Sequence, residues 1–358
     1  MSNTDEPVLE LRSLEKHFSM SDGIFDAVRH RLTGSSPGSV RAVDGVNMQL
    51  RRNQVQGVIG ESGCGKTTLL RTLMGLYEPS GGELYFHGEP VSEFSKSDWK
   101  DFRRQVQLVF QDPFNSLDPK FSVRRTLAEP LQIHGLDYDK ERIVEMLESV
   151  GLTPAEKYLS RFPSQLSGGE KQRVSIARAL ITEPDVILAD EPASMLDVST
   201  QAEILNLLNR LTDEFGVSML YISHDLSTVS YICDRINVMY LGRVVEEAPT
   251  KELLTDPKHP YTDALIRSIP IPDPHYARER PDIHGEPGDP TNMPTGCRFK
   301  NRCPKRMDVC DQKPLDVTVE GEETRTVACH LYYDHDAVDG HVQDHQPATA
   351  DQPVGEAR

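Results

Sequence analysis

No stretch of this 358-residue chain holds 18 consecutive apolar residues, so no segment is long and greasy enough to cross a bilayer as a helix. The first ten residues, MSNTDEPVLE, are acidic where a secretory leader is basic and then apolar. Both absences point to the cytoplasm, with any membrane attachment made through a partner protein. Positive charge is also short: 39 Lys and Arg face 56 Asp and Glu, a formal net charge of −17. Such a surface repels phosphate backbones, which argues against DNA or RNA as the main partner. Only 13 of the cations are Lys and 26 are Arg. An acidic, lysine-poor surface fits a saline cytoplasm, where screening makes self-repulsion cheap; it fits an ordinary acidic cytosolic protein as well. Cysteine is sparse, six in all, and in a reducing compartment these are thiols or metal ligands rather than disulfides.

What the chain does have is alternation of strand and helix patterns. VLELRSLEKHF alternates like an exposed edge strand, the Gly/Ser/Pro-rich TGSSPGS reads as a surface loop, and a second strand pattern runs from Val46 into VQGVIG. Helical periodicity covers about Val123 to His134, Lys140 to Val150 and Gly169 to Ile181, with apolar runs at VQLVF, VILAD and SMLYIS. Strands alternating with helices predict a mostly parallel, helix-covered α/β sheet. The expected division is a main domain over 1–270 with a helical subdomain near 112–182, a Pro/Gly-rich linker over 271–295, a compact Cys-rich segment over 296–335, and a disordered acidic tail over 336–358.

Gly60 to Thr68 reads GESGCGKTT, the G-x-x-x-x-G-K-[ST] pattern, placed after an apolar strand and before a helix as that pattern requires. Gly60, Gly63 and Gly65 let the backbone wrap a phosphate chain, so that the N–H groups along Glu61, Ser62 and Cys64 and the helix N-terminus face negative charge. Lys66 is expected at the β and γ phosphates, Thr67 at Mg2+ and Thr68 at the α phosphate. Downstream, DVILADE is an apolar strand ending in two carboxylates, Asp190 to hold the metal shell and Glu191 to deprotonate the attacking water. Between them, Ser167, Gly168, Gly169 and Glu170 open a helix, a pattern that as a bare sequence is a capping box and equally a second anion site.

The phrase LSGGEKQR, lying between phosphate loop and Asp-Glu strand, resembles the signature of the ATP-binding cassette (ABC) proteins. That resemblance implies a P-loop NTPase with a RecA-like core and a helical subdomain. It also implies head-to-tail pairing of two ATPase subunits, each signature (Ser167–Glu170) capping the γ phosphate on the other's loop. By the same resemblance Gln111 senses Mg2+ and water, His224 in YISHDL is the switch histidine, Asp197 in SMLDVS belongs to the loop coupling the two sites, and Phe18 stacks on adenine. Met195 stands where the family usually has Ala. QDPFNSLDP, EPASMLDVSTQAEILNLL, MYLGRVVEEAPTKELL and PKHPYTDALIRSIP are similar to the motor subunits of oligopeptide and dipeptide importers, with nickel and oligosaccharide importers sharing the subfamily. The implied partners are two membrane permease subunits docking beside Gln111 and Asp112–Pro119, a second ATPase subunit, identical or paralogous, and, indirectly, an external binding protein. The implied location is the cytoplasmic face of the membrane, held peripherally.

Cys64 and Cys233 read as small space-filling residues. Cys297, Cys303, Cys310 and Cys329 form C-x5-C-x6-C-x18-C in a segment with few large apolar residues, which implies a staple other than burial. Four thiolates around a metal supply one. The gaps are wider than the close pairs usual for zinc, and Pro304 after Cys303 resembles the Cys-Pro pairs near iron–sulfur ligands. Similar importer motors include members with a four-iron, four-sulfide cluster. That cluster is the leading expectation, with zinc and free thiols as alternatives.

Overall fold

A computed structural model describes residues 6–19, 39–114, 116–137, 139–269, 283–286, 288–319 and 322–333. Most of the expected linker, the 336–358 tail and nearly all of the TGSSPGS loop lie outside the described residues. In chain order the elements are β1 (Pro7–Ser19), β2 (Ser39–Arg51), β3 (Val55–Ile59), α1 (Lys66–Leu73), β4 (Gly81–Phe86), β5 (Glu89–Pro90), α2 (Lys96–Gln105) and β6 (Val106–Val109). There follow α3 (Val123–His134), α4 (Lys140–Ser149), α5 (Gly168–Leu180), β7 (Val186–Asp190), α6 (Val198–Phe215), β8 (Ser218–Ile222) and α7 (Leu226–Ile232). The chain continues through β9 (Arg235–Tyr240), β10 (Arg243–Pro249), α8 (Thr250–Thr255), α9 (Pro260–Arg267), β11 (Val317–Val319) and β12 (Glu322–Val327).

The apolar runs VILAD and SMLYIS become β7 and β8, interior strands of an eight-stranded sheet, order β11-β12-β10-β9-β3-β8-β7-β6. The pairs β6–β7, β7–β8, β8–β3 and β3–β9 are parallel. Both faces of these strands are covered, which is why they read as continuous rather than alternating. Met219 and Tyr221 of β8 and Ile187 and Ala189 of β7 point into a core shared with α3, α4, α5 and α6. Leu220, Ile222, Val186 and Leu188 point the other way, into a core shared with α1 and a second, antiparallel sheet of order β2-β1-β4-β5. The carboxyl ends of β3, β6, β7 and β8 therefore open on one edge, the place where open α/β sheets bind ligands.

Two expectations are corrected. β1 is not an edge strand: it lies between β2 and β4. Alternation reports one wet face, which an interior strand of a half-covered sheet has as much as an edge strand does. The pattern from Val46 into VQGVIG is two strands in two sheets, β2 and β3, broken at Asn53, whose φ of 56° turns the chain out of one sheet and into the other.

The Cys-bearing segment does not stand apart. β12 pairs antiparallel with β10, so it extends the main sheet, and β11 pairs with β12. Phe299 is buried against the rings of Tyr240, Tyr261 and His259, at centroid distances of 5.3, 5.4 and 5.8 Å. Arg325 is buried with Glu246 at 2.6 Å, while Glu246 also accepts the backbone N–H groups of Lys258 and His259, each at 2.9 Å. Burial against the main sheet thus supplies support that the segment's own composition does not. Arg325→Ala leaves a buried carboxylate without its cation, a change that costs about 3–5 kcal/mol. Urea melts of the full chain should show a loss of that size, and a loss below about 1 kcal/mol would contradict this reading of the interface.

Candidate active site

The phosphate loop follows the fully buried β3 and feeds α1. Its glycines are demanded by geometry. A Cβ on Gly65, whose φ is 110°, would fall 1.9 Å from the Ala42 carbonyl oxygen, and one on Gly60 2.1 Å from that of Met239. Gly63 has open space around it and is required only by its φ of 80°. Lys66 is nearly buried and spans the loop, its Nζ donating to Gly60 O at 2.6 Å and Glu61 O at 3.1 Å. Cys64 fills space beneath it, its thiol pushed up by burial.

Opposite the lysine, Glu191 leaves the end of β7 with a φ of 45°, a left-handed backbone uncommon for a non-glycine residue. Its carboxylate accepts from Gln111 Nε2 at 2.8 Å and lies 2.6 Å from His224 Nδ1. Gln111 comes from the turn after β6 and His224 from the turn after β8, so three strand ends converge on one carboxylate. Asp190 beside it is pushed up, first by burial and then by the charge of Glu191. Thr67 and Asp190 offer oxygens, as does Gln111 through the Oε1 left over when its Nε2 donates to Glu191; this is the donor set of a hard divalent cation, and a buried carboxyl with a raised pKa gains most from one.

An open cleft of about 660 Å3 joins these groups. Ser62 through Thr68, Gln111, Asp190, Glu191, His224 and Phe18 all line it. Gly60 and Glu61 do not: the Glu61 N–H donates to the Tyr261 hydroxyl at 2.9 Å, and its carboxylate turns to Arg302. Phe18 makes an edge contact with Tyr77 at 5.4 Å.

Comparison with known proteins fits this geometry. Residues 43–194 match the ABC transporter family, and residues 245–310 match the oligopeptide/dipeptide transporter C-terminal region. A Bacillus subtilis protein named a putative oligopeptide transport ATP-binding protein, YkfD, is 46% identical over 91% of this chain and 96% of its own length. The chain belongs to the ABC transporter ATP-binding subunits. The oligopeptide transport ATP-binding protein AppF of the same organism is 42% identical over 91% of this chain and 98% of its own. The solved dimer of the ATP-binding cassette MJ0796 bound to ADP and Pi is 29% identical, with a TM-score of 0.57 over 68% of this chain and 98% of that one. CbiO1 from Clostridium perfringens, part of the transporter complex cbiONQ, is 28% identical with a TM-score of 0.58, covering 70% and 92% of the two chains.

The ABC signature is absent from the residues lining the cleft. Within one subunit Ser167 caps α5, its Oγ accepting from Glu170 N at 3.2 Å while the Glu170 carboxylate accepts from Ser167 N at 2.7 Å. A Cβ on Gly169 would fall 2.6 Å from Thr200 Cγ2, so that glycine also lets α5 approach α6. Asp197 caps α6 and is held well below the usual carboxylate range by the Ser199 and Thr200 hydroxyls. Cys297, Cys303 and Cys310 all lie near enough to bear on Cys329, but among the described residues no three of the four sulfurs lie within 4.8 Å of one another. The docking described above also holds their segment. Sequence reasoning missed Tyr261 and Arg302, since nothing local in HPYT or KNRCP signals a partner in the phosphate loop. Gly65→Ala should abolish ATP binding and lower the urea midpoint, because the added Cβ must displace backbone; retained binding in equilibrium dialysis would contradict the steric argument.

Proposed function

We propose that this ABC subunit hydrolyses ATP to drive import of oligopeptides through membrane permease partners, working peripherally on the cytoplasmic face. The observation that carries the reading is Glu191 held between Gln111 and His224 at the mouth of a phosphate loop, in a chain whose relatives at 42–46% identity are named for oligopeptide transport. Among the described residues no helix is long and apolar enough to cross a membrane, so translocation falls to partners.

In this reading the N–H groups after Ser62 and the α1 N-terminus hold the phosphates, and Lys66 exchanges the Gly60 and Glu61 carbonyls for phosphate oxygens. Thr67, Asp190 and Gln111 hold Mg2+, which neutralises charge on the triphosphate when bound. Glu191 takes the proton of the attacking water, oriented by Gln111 on one oxygen and His224 on the other. His224 then has its second ring nitrogen free for the γ phosphate. Phe18 stacks on the base. The signature residues Ser167, Gly168, Gly169 and Glu170 lie outside the cleft and act on a second subunit's nucleotide, with the Asp197 turn at the seam. Phe110 and Phe114, 46% and 57% exposed on either side of Gln111, give the permease helices an apolar foothold next to the base's partner. A binding protein outside the membrane selects cargo.

The cysteines carry a finer proposal, an iron–sulfur cluster rather than zinc. Zinc–sulfur bonds of about 2.3 Å place four thiolates about 3.8 Å apart, whereas no three of these sulfurs lie within 4.8 Å of one another, and a cluster spaces its ligands more widely. Cys329 is pushed up to about 12, first by burial and then by Cys297, Cys303 and Cys310 nearby. Anaerobically purified protein should be brown with about four irons per chain; colourless, iron-free protein would reject the cluster. The reading of a saline cytoplasm rests on the acidic, lysine-poor composition alone.

Glu191→Gln should keep ATP binding and slow turnover by roughly two to four orders of magnitude, the usual weight of a positioned base. Steady-state phosphate release checks this, and a variant turning over at the wild-type rate would remove Glu191 from the role.

A further inference from the structure

The C-terminal part of the chain touches the phosphate loop through Arg302 and the wall of the nucleotide cleft through Met293. Arg302 is buried, 8% exposed, and forks onto Glu61: Nη1 donates to Oε2 at 2.7 Å and Nη2 to Oε1 at 2.9 Å. This planar, two-bond match fixes direction as well as distance. The guanidinium is itself set by Phe299 and Tyr240, whose ring centroids lie 5.7 and 5.8 Å away. Glu61 is the second residue of the phosphate loop, and its own carbonyl accepts from Lys66 Nζ. A shift at Glu61 is therefore passed directly to the lysine. Separately, Met293 lines the cleft together with Phe18 and the loop.

We propose that Arg302 is a positioning residue for the phosphate loop, so that the C-terminal segment sets this subunit's affinity for nucleotide in cis, with Met293 adding to the cleft wall. The physical reason is the loop's composition. Three glycines with positive φ between Gly60 and Gly65 make it costly to order. Anchoring Glu61 in advance leaves less of that ordering for the ligand to supply. Arg302 does not line the cleft and bonds Glu61 rather than Glu191, so its effect falls on binding and not on the chemical step.

The inference rests on reading the cleft as the ATP site, and the experiment separates the two. In the full-length chain with Mg2+, ATP binding by equilibrium dialysis and ATPase kinetics are measured for wild type, Arg302→Gln, Arg302→Lys, Glu61→Gln/Arg302→Gln and Lys66→Ala. Arg302→Gln should raise Kd and KM about tenfold, the size usual for one coupling contact, with kcat within about twofold. Arg302→Lys keeps the charge without the fork and should fall between, a rescue that a general loss of packing would not give. The double variant removes both charges, so it stays informative if Arg302→Gln alone does not fold, and it should raise KM by a similar factor. Wild-type KM in a folded Arg302→Gln or in the double variant overturns the proposal, as does a fall in kcat at unchanged KM. Lys66→Ala should lose ATP binding. Binding retained there overturns the site itself, whereas binding lost there with Arg302 variants unchanged overturns only the role of Arg302.

Discussion

The close passage of the phosphate loop beneath its neighbours is the constraint on which the rest depends. Gly60 lies against the Met239 carbonyl of β9 and Gly65 against the Ala42 carbonyl of β2, at separations that no side chain could share. The loop thereby ties the parallel sheet to the antiparallel one, and α1 leaves at an angle that buries Leu69, Leu70 and Leu73 between them. Lys66 is left with nowhere to go but across the loop mouth. Everything placed opposite it, Asp190, Glu191, Gln111 and His224, arrives on strands whose register is set by cores on both faces.

Glu191 shows how such a frame stores a functional arrangement. A left-handed backbone at a glutamate has a cost of order 1–3 kcal/mol, and here it turns the carboxylate away from the line of β7 toward two side chains from other strand ends. The Glu191 N–H is still satisfied, by the Ile222 carbonyl at 2.8 Å. Strain is thus confined to one dihedral while the hydrogen bonds remain complete.

What was legible in the sequence was what is contiguous. The phosphate loop, the Asp190–Glu191 pair and the capping box at Ser167 are each written within a few residues, and their local patterns survive folding unchanged. Helices α3 and α4 are legible because each buries one stripe at helical spacing, whereas α5 is buried on nearly all sides from Lys171 onward and is marked instead by the capping box at its start. What was not legible depends on pairs far apart. Arg302 and Glu61 are 241 positions apart, and no periodicity marks either. The addition of β12 to β10 escaped notice because a short alternating strand carries no sign of which sheet it joins. Composition marks the segment around the cysteines as poor in large apolar residues, but it carries no sign of the distant surface of Tyr240, His259 and Tyr261 against which Phe299 packs.

These arrangements make one coherent device: an ABC subunit that hydrolyses ATP to drive oligopeptide import. The most direct test of that claim is uptake of radiolabelled oligopeptide by vesicles containing this subunit with its cognate permeases and binding protein. The account predicts uptake that requires ATP inside the system and stops when ATP is replaced by a non-hydrolysable analogue. Peptide uptake that proceeds equally without ATP hydrolysis, or a transporter that moves only non-peptide cargo, would contradict it.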